Sequence, residues 1–71
     1  MKQELFDMLY TAALAERSKA LLTLNLLSEH PAGIGDHSTQ DFYNNAEEAI
    51  KALAEADDVL HAIEKYFGEN E

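Results

Sequence analysis

A single proline, Pro31, separates two long segments of this chain that both have helical periodicity. Proline cannot continue a helix and disfavours helical backbone at the residue before it, so the first helix must end near Glu29. Gly33 and Gly35 follow closely and allow backbone angles that other residues resist. The sequence predicts one domain over 1–71: a helix over about 3–29, a turn over 30–38, a helix over about 39–67 and a frayed tail over 68–71.

Apolar residues follow two neighbouring rows along the first segment, in alternating steps of four and three residues. One row is Phe6, Tyr10, Ala13, Arg17, Ala20, Leu24 and Leu27, and the other is Leu5, Met8, Ala12, Ala15, Lys19, Leu22 and Leu26. Together the rows form an apolar arc about twice as wide as the stripe that faces a single partner helix. We therefore expect the first helix to contact more than one neighbouring helix.

The second segment carries one unbroken apolar row with the same steps. Its members are Phe42, Ala46, Ala49, Leu53, Ala56, Leu60, Ile63 and Phe67. Folding the chain back at the turn sets Ala20 opposite Ala49 and Ala13 opposite Ala56. The predicted fold class is all-α, an antiparallel two-helix hairpin. Because the hairpin alone cannot cover the wide arc, we expect assembly into a homodimeric four-helix bundle or a higher helical oligomer.

The charge balance narrows the range of partners and compartments. The chain has 14 acidic and 5 basic residues and a formal net charge of −9. This surplus argues against direct binding to nucleic acid and permits binding to a basic protein surface. The sequence has no cysteine, no apolar run of membrane-spanning length and no apolar leader at its start, so we expect a cytoplasmic protein without membrane contacts.

Acidic side chains are concentrated on the outer face of the second predicted helix. The candidate protein-binding residues are Glu47, Glu48, Glu55 and Asp58. A surplus of carboxylates also keeps small proteins soluble, and that simpler interpretation stays open.

Charged residues also interrupt the apolar arc near the middle of the first helix. Glu16, Arg17 and Lys19 could join Tyr10 in a pocket between subunits that binds an anionic small molecule or a signalling nucleotide. Alternatively, their long stems reach the surface, or one ion-paired layer fixes the register of the assembly. Asp57 and Glu64, on the flank of the second helix, could reach Arg17 or a partner subunit.

Histidines near the turn raise the question of a metal site. His30 and His37 flank the turn beside Asp36, but no two histidines have the one-turn spacing of a helical site, so we predict neither a metal nor a cofactor. The segment Gly33-Ile34-Gly35 lacks the lysine and the preceding strand of a phosphate-binding loop. Its simplest role is structural, with Ile34 closing the end of the hairpin.

Two acidic pairs have a spacing that suits the binding of Mg²⁺. Glu4/Asp7 and Glu55/Asp58 resemble the paired acids with which all-α nucleotide pyrophosphohydrolases bind Mg²⁺. All four lie on or near the predicted solvent faces, without a pocket for a base. We expect that the chain is not an enzyme.

The turn carries a resemblance to a known group. The stretch His30-Pro31-Ala32-Gly33-Ile34-Gly35-Asp36-His37 and the Ala- and Glu-rich run after it resemble small uncharacterised proteins of tailed bacteriophages and marine viral sequences. These share a turn of the type Asn/His-Pro-x-Gly-Ile-Gly-Glu/Asp-His, and they often have proline where this chain has Ser38. The similarity covers about half the chain and implies a viral accessory protein, without an established activity or site residues.

Two functions from different classes follow. The leading prediction is a non-enzymatic, phage-encoded interaction protein that binds a host protein, as a host-takeover or anti-defence factor. The alternative is an oligomeric sponge that holds an anionic ligand between its subunits.

Overall fold

A computed structural model of the chain describes residues 1–29 and 38–68, without the side chain of Ser38. It contains two helices, α1 over Gln3–Glu29 and α2 over Ser38–Phe67. The helices pack along their length and run antiparallel, since contacts at increasing positions of α1 meet decreasing positions of α2. The predicted all-α hairpin is therefore confirmed.

The ends of α2 have local causes in the sequence. The helix begins at Ser38, one residue before the predicted start, and has Asp41 in its first turn, where a carboxylate complements the helix dipole. At its other end, the Gly68 amide donates a hydrogen bond of 3.0 Å to the Glu64 carbonyl oxygen. A Cβ on Gly68 would lie only 2.5 Å from that oxygen, so this close approach requires glycine. The roles predicted for Ile34, Gly33 and Gly35 and the frayed tail beyond 68 lie outside the described residues.

Alanines form the centre of the contact between the helices. Ala13 and Ala56 line one open groove between the helices and Ala20 and Ala49 line another, in agreement with the predicted register. Their missing side-chain bulk lets the two backbones approach closely. The buried apolar residues of the described chain are these four alanines and two larger residues of α2, Leu60 and Ile63.

The core is narrow because the molecule is only two helices thick. The hairpin measures 53 × 15 × 15 Å. The larger members of the facing rows are consequently half-buried: Phe6, Tyr10, Leu24, Leu27, Phe42 and Leu53. Phe67, the last member of the α2 row, is 50% exposed because the register sets it opposite the first residues of α1, where little remains to cover it.

Within the part of the chain that the structure describes, neither helix is both long enough and apolar enough to cross a lipid bilayer.

The alanine contact makes a prediction about stability. Ala56 is 4% exposed against α1, so Ala56→Leu should push the helices apart and lower the free energy of unfolding by about 1–3 kcal/mol. The control Ala54→Leu lies on the exposed side of the same helix and should change it by less than about 0.5 kcal/mol. Urea unfolding followed by far-UV circular dichroism gives both values. Equal effects of the two substitutions would contradict close packing at Ala56.

Candidate functional site

The four residues of the predicted acidic face lie along α2, outside the row that packs against α1. Glu47, Glu48, Glu55 and Asp58 are all exposed. Within the described part of the chain, none of the four carboxylates forms a salt bridge or a hydrogen bond. Glu48 and Glu55 border grooves between the helices, whereas Glu47 and Asp58 line none of the grooves described here. The face therefore presents negative charge without an internal partner.

Two polar contacts join the helices on one flank of the hairpin. The Tyr10 hydroxyl donates a hydrogen bond of 2.9 Å to Oε2 of Glu64. Two turns further along α1, Nη1 of Arg17 lies 3.9 Å from Oδ1 of Asp57, with both side chains well exposed. An exposed ion pair at this distance contributes little stability. Of the two acids within predicted reach of Arg17, Asp57 pairs with it and Glu64 accepts from Tyr10 instead.

The contact with Glu64 changes the acidity of Tyr10. The hydrogen bond to Glu64, and then the negative charge of Glu64, raise the pKa of Tyr10 above its usual value, while the nearby Arg17 opposes the shift. Tyr10 is consequently a neutral donor at physiological pH, and it holds the Glu64 carboxylate in place.

The residues proposed for the alternative anion pocket fall into two groups. Tyr10 contacts Glu64 and Arg17 contacts Asp57. Glu16 and Lys19 instead line a shallow groove between the two helices. Within one chain the four side chains do not converge on one space. A pocket built from them needs a second chain, and it stays a hypothesis.

The second apolar row of α1 is uncovered in the hairpin. We call this row the α1 stripe: Leu5, Met8, Ala12, Ala15, Lys19, Leu22 and Leu26. All of its members are exposed, with Met8 at 56% and Leu22 at 60%. An exposed apolar surface of this length, interrupted here by Lys19 alone, usually marks a site of interaction with another protein.

A second exposed apolar group was missed by the sequence analysis. Leu21, Tyr43 and Ile50 lie on the flanks of the facing rows, and each is exposed by more than two fifths. The heptad spacing of two apolar pairs could have predicted this group from the sequence. The pairs are Leu14 and Leu21 in α1 and Tyr43 and Ile50 in α2. The apolar arc of the hairpin is therefore wider than the two rows of α1.

The sequence analysis also missed a pocket at the end of the hairpin where α1 begins and α2 ends. We call it the end pocket; its volume is about 580 Å³, and it is lined by Met1, Gln3, Phe6, Tyr10, Glu64, Phe67 and Gly68. The rings of Phe6 and Tyr10 stack with centroids 5.6 Å apart. The sequence could have predicted this pocket, because the predicted register brings Phe6 and Phe67 to the same end of the hairpin.

The remaining candidate residues are histidine and acidic side chains, the types that can bind a metal ion. Among the described residues, no group of three histidine, aspartate or glutamate side chains could hold a metal ion. His30, Asp36 and His37 lie outside the described residues. Of the acidic pair Glu4/Asp7, Asp7 accepts a hydrogen bond of 2.8 Å from Gln3, and both acids are exposed.

No protein-family model matches the chain, and searches of curated proteins and of solved structures found no match.

The Tyr10 contact makes a prediction about alkaline pH. Because its folded pKa is raised above the unfolded value of 10.0, the contact stabilises the fold fully below about pH 10 and loses its effect as pH rises through the folded pKa. The ultraviolet titration of the wild type should extend to higher pH than that of Tyr10→Phe, and the control Tyr43→Phe should keep this extension. If Tyr10→Phe left the titration above pH 10 unchanged apart from its amplitude, the contact with Glu64 would be wrong.

Proposed function

We propose that this chain is a non-enzymatic interaction protein that binds a basic surface of another protein through the acidic face of α2. The observation that carries the proposal is the set of four exposed carboxylates, Glu47, Glu48, Glu55 and Asp58, without an internal partner in the described chain. Such a face attracts a positively charged surface over a distance. Binding would not require an intramolecular salt bridge of these carboxylates to break.

The proposal includes self-assembly through the α1 stripe into a homodimeric four-helix bundle or a higher helical oligomer. One whole face of the hairpin, 53 Å long and 15 Å across, has an area of ~800 Å², which is the area that each partner buries in an interface of standard size. A second copy of the hairpin supplies an apolar surface of matching length. Its contact would bury the leucines and methionine that one hairpin leaves in water.

The sequence of the α1 stripe suits a two-fold arrangement. If two α1 helices cross antiparallel about residue 17, Met8 faces Leu26 of the partner subunit and Ala12 faces Leu22 of the partner subunit. Lys19 then lies beside Ala15 and Glu16 of the partner subunit, so that the cation in the stripe meets a small neighbour and a carboxylate. Both acidic faces of α2 remain outside, and the dimer can bind two basic surfaces at once.

The resemblance of the turn supports a viral setting for this activity. Under it, the chain is a phage accessory protein that acts in the cytoplasm of the host and binds a host protein, as a host-takeover or anti-defence factor. Neither nucleic acid nor membrane is a partner in this proposal.

Light scattering during size-exclusion chromatography tests the assembly. We expect a wild-type mass of at least twice 7.9 kDa. Leu22→Glu places a charge in the stripe and should reduce the mass to that of one chain, while Ser18→Glu, on the exposed side of α1, should leave it unchanged. Leu22→Gln serves as the milder variant if Leu22→Glu loses its helical circular dichroism. A wild type that stays folded with the mass of one chain at all concentrations would overturn the assembly.

Affinity purification from host extract, followed by a binding measurement with the captured protein, tests the acidic face. The variant Glu47→Gln/Glu48→Gln/Glu55→Gln/Asp58→Asn should bind at least tenfold more weakly, which corresponds to a loss of about 1.4 kcal/mol or more.

The chain offers a matched control for this experiment. Glu55→Gln/Asp58→Asn and Glu4→Gln/Asp7→Asn each remove two carboxylates three positions apart on an exposed helix face. Only the pair on α2 should weaken binding. If all these variants bind the captured protein as the wild type does, the acidic face is not the binding surface.

A further inference from the structure

We propose that the end pocket binds a cationic side chain with an apolar stem, namely a lysine or arginine of the partner protein. It depends on the proposed function in one respect, namely that the partner protein supplies the cationic side chain. The pocket lies at the end of the hairpin, and Glu64, Phe67 and Tyr10 are the residues that make it selective.

Aromatic rings line the pocket on two sides. The stacked rings of Phe6 and Tyr10 form one wall on α1. Phe67 contributes from the last turn of α2, and in the described chain it makes no ring contact with that pair. The space of about 580 Å³ among these residues is large enough for a long side chain. Ring faces and edges of this kind accept both the methylene stem and, through the cation–π interaction, the charged head.

Glu64 supplies the negative charge. One of its oxygens, Oε2, accepts the hydrogen bond from Tyr10, which fixes the position of the carboxylate at the pocket. The other oxygen, Oε1, has no hydrogen-bond donor within the described residues and can accept one from an ammonium or guanidinium group. The pocket thus combines a held carboxylate with an apolar wall.

The charge of the chain favours a cation over an anion as the ligand. The lining of the pocket contains one carboxylate, that of Glu64, no lysine, arginine or histidine side chain, and the amino group of Met1 as its one cation. The whole chain carries a net charge of −9, so an anion is repelled and a cation is attracted. A neutral apolar side chain could enter, but it would offer no hydrogen-bond donor to Oε1 of Glu64, while Oε2 keeps its bond from Tyr10.

Nuclear magnetic resonance titration of the full chain tests the proposal with two probes. These are Nα-acetyl-lysine methylamide and its norleucine counterpart, which keeps the stem and lacks the ammonium group. We expect the lysine probe to shift amide signals at 3–10 and 64–68 and to bind at least fivefold more tightly than the norleucine probe. Equal binding of the two probes would overturn the role of charge.

Matched variants locate the binding site. Phe67→Ala should weaken the lysine probe at least fivefold, while Tyr66→Ala, which removes an adjacent and more exposed ring outside the pocket, should not. Glu64→Gln keeps an acceptor for Tyr10 and removes the charge, so it should also weaken binding, unlike Glu55→Gln. Circular dichroism verifies that each variant stays helical. If Phe67→Ala and Tyr66→Ala behave alike, or if the shifts follow the acidic face instead, the pocket is not the site.

One further variant separates this proposal from the proposed function. The quadruple variant of the acidic face leaves every residue of the end pocket in place, so it should bind the lysine probe as the wild type does. A loss of probe binding in that variant would show that general charge attraction is responsible. Unchanged binding of the lysine probe together with loss of the protein partner is the result expected if both proposals hold. If the lysine probe does not bind the wild type, the proposal for the end pocket is overturned and the proposal for the acidic face still stands.

Discussion

The close contact of alanines between α1 and α2 determines the geometry on which the other features depend. Ala13 and Ala20 meet Ala56 and Ala49 with almost no exposed surface, so the helices approach closely and in one register. The register also fixes the distances between the other side chains of α1 and α2 that face each other. The hydrogen bond from Tyr10 to Glu64 and the end pocket both require this register.

The same contact explains why so much apolar surface remains exposed. Alanines bury little area, and a hairpin two helices thick cannot enclose a larger side chain on every side. The leucines and methionine of the α1 stripe therefore stay in water in a single hairpin. Burial of that stripe against a second copy would add the core that one chain of this size lacks.

Charge is separated from this apolar surface. The carboxylates of the acidic face, which have no partner within the described residues, lie on α2, and the stripe lies on α1. The proposed self-assembly and the proposed binding of a basic partner therefore use different surfaces. At the end of the hairpin, the end pocket combines both kinds of contact, since Glu64 stands beside three aromatic rings. A basic partner could engage the acidic face by charge and the end pocket by one inserted side chain.

The sequence by itself determined the helices and their facing rows. Pro31 and Gly68 act on the local backbone, and apolar spacing reports which side of a helix is buried, so neither needs knowledge of distant contacts. Only the tertiary structure decided that Tyr10 bonds Glu64, that Arg17 pairs with Asp57 rather than joining Lys19, and that Phe67 borders an open pocket. These contacts depend on the rotation and the axial offset of one helix relative to the other. The packing between the helices sets both quantities, and the residue spacing within either segment does not specify them.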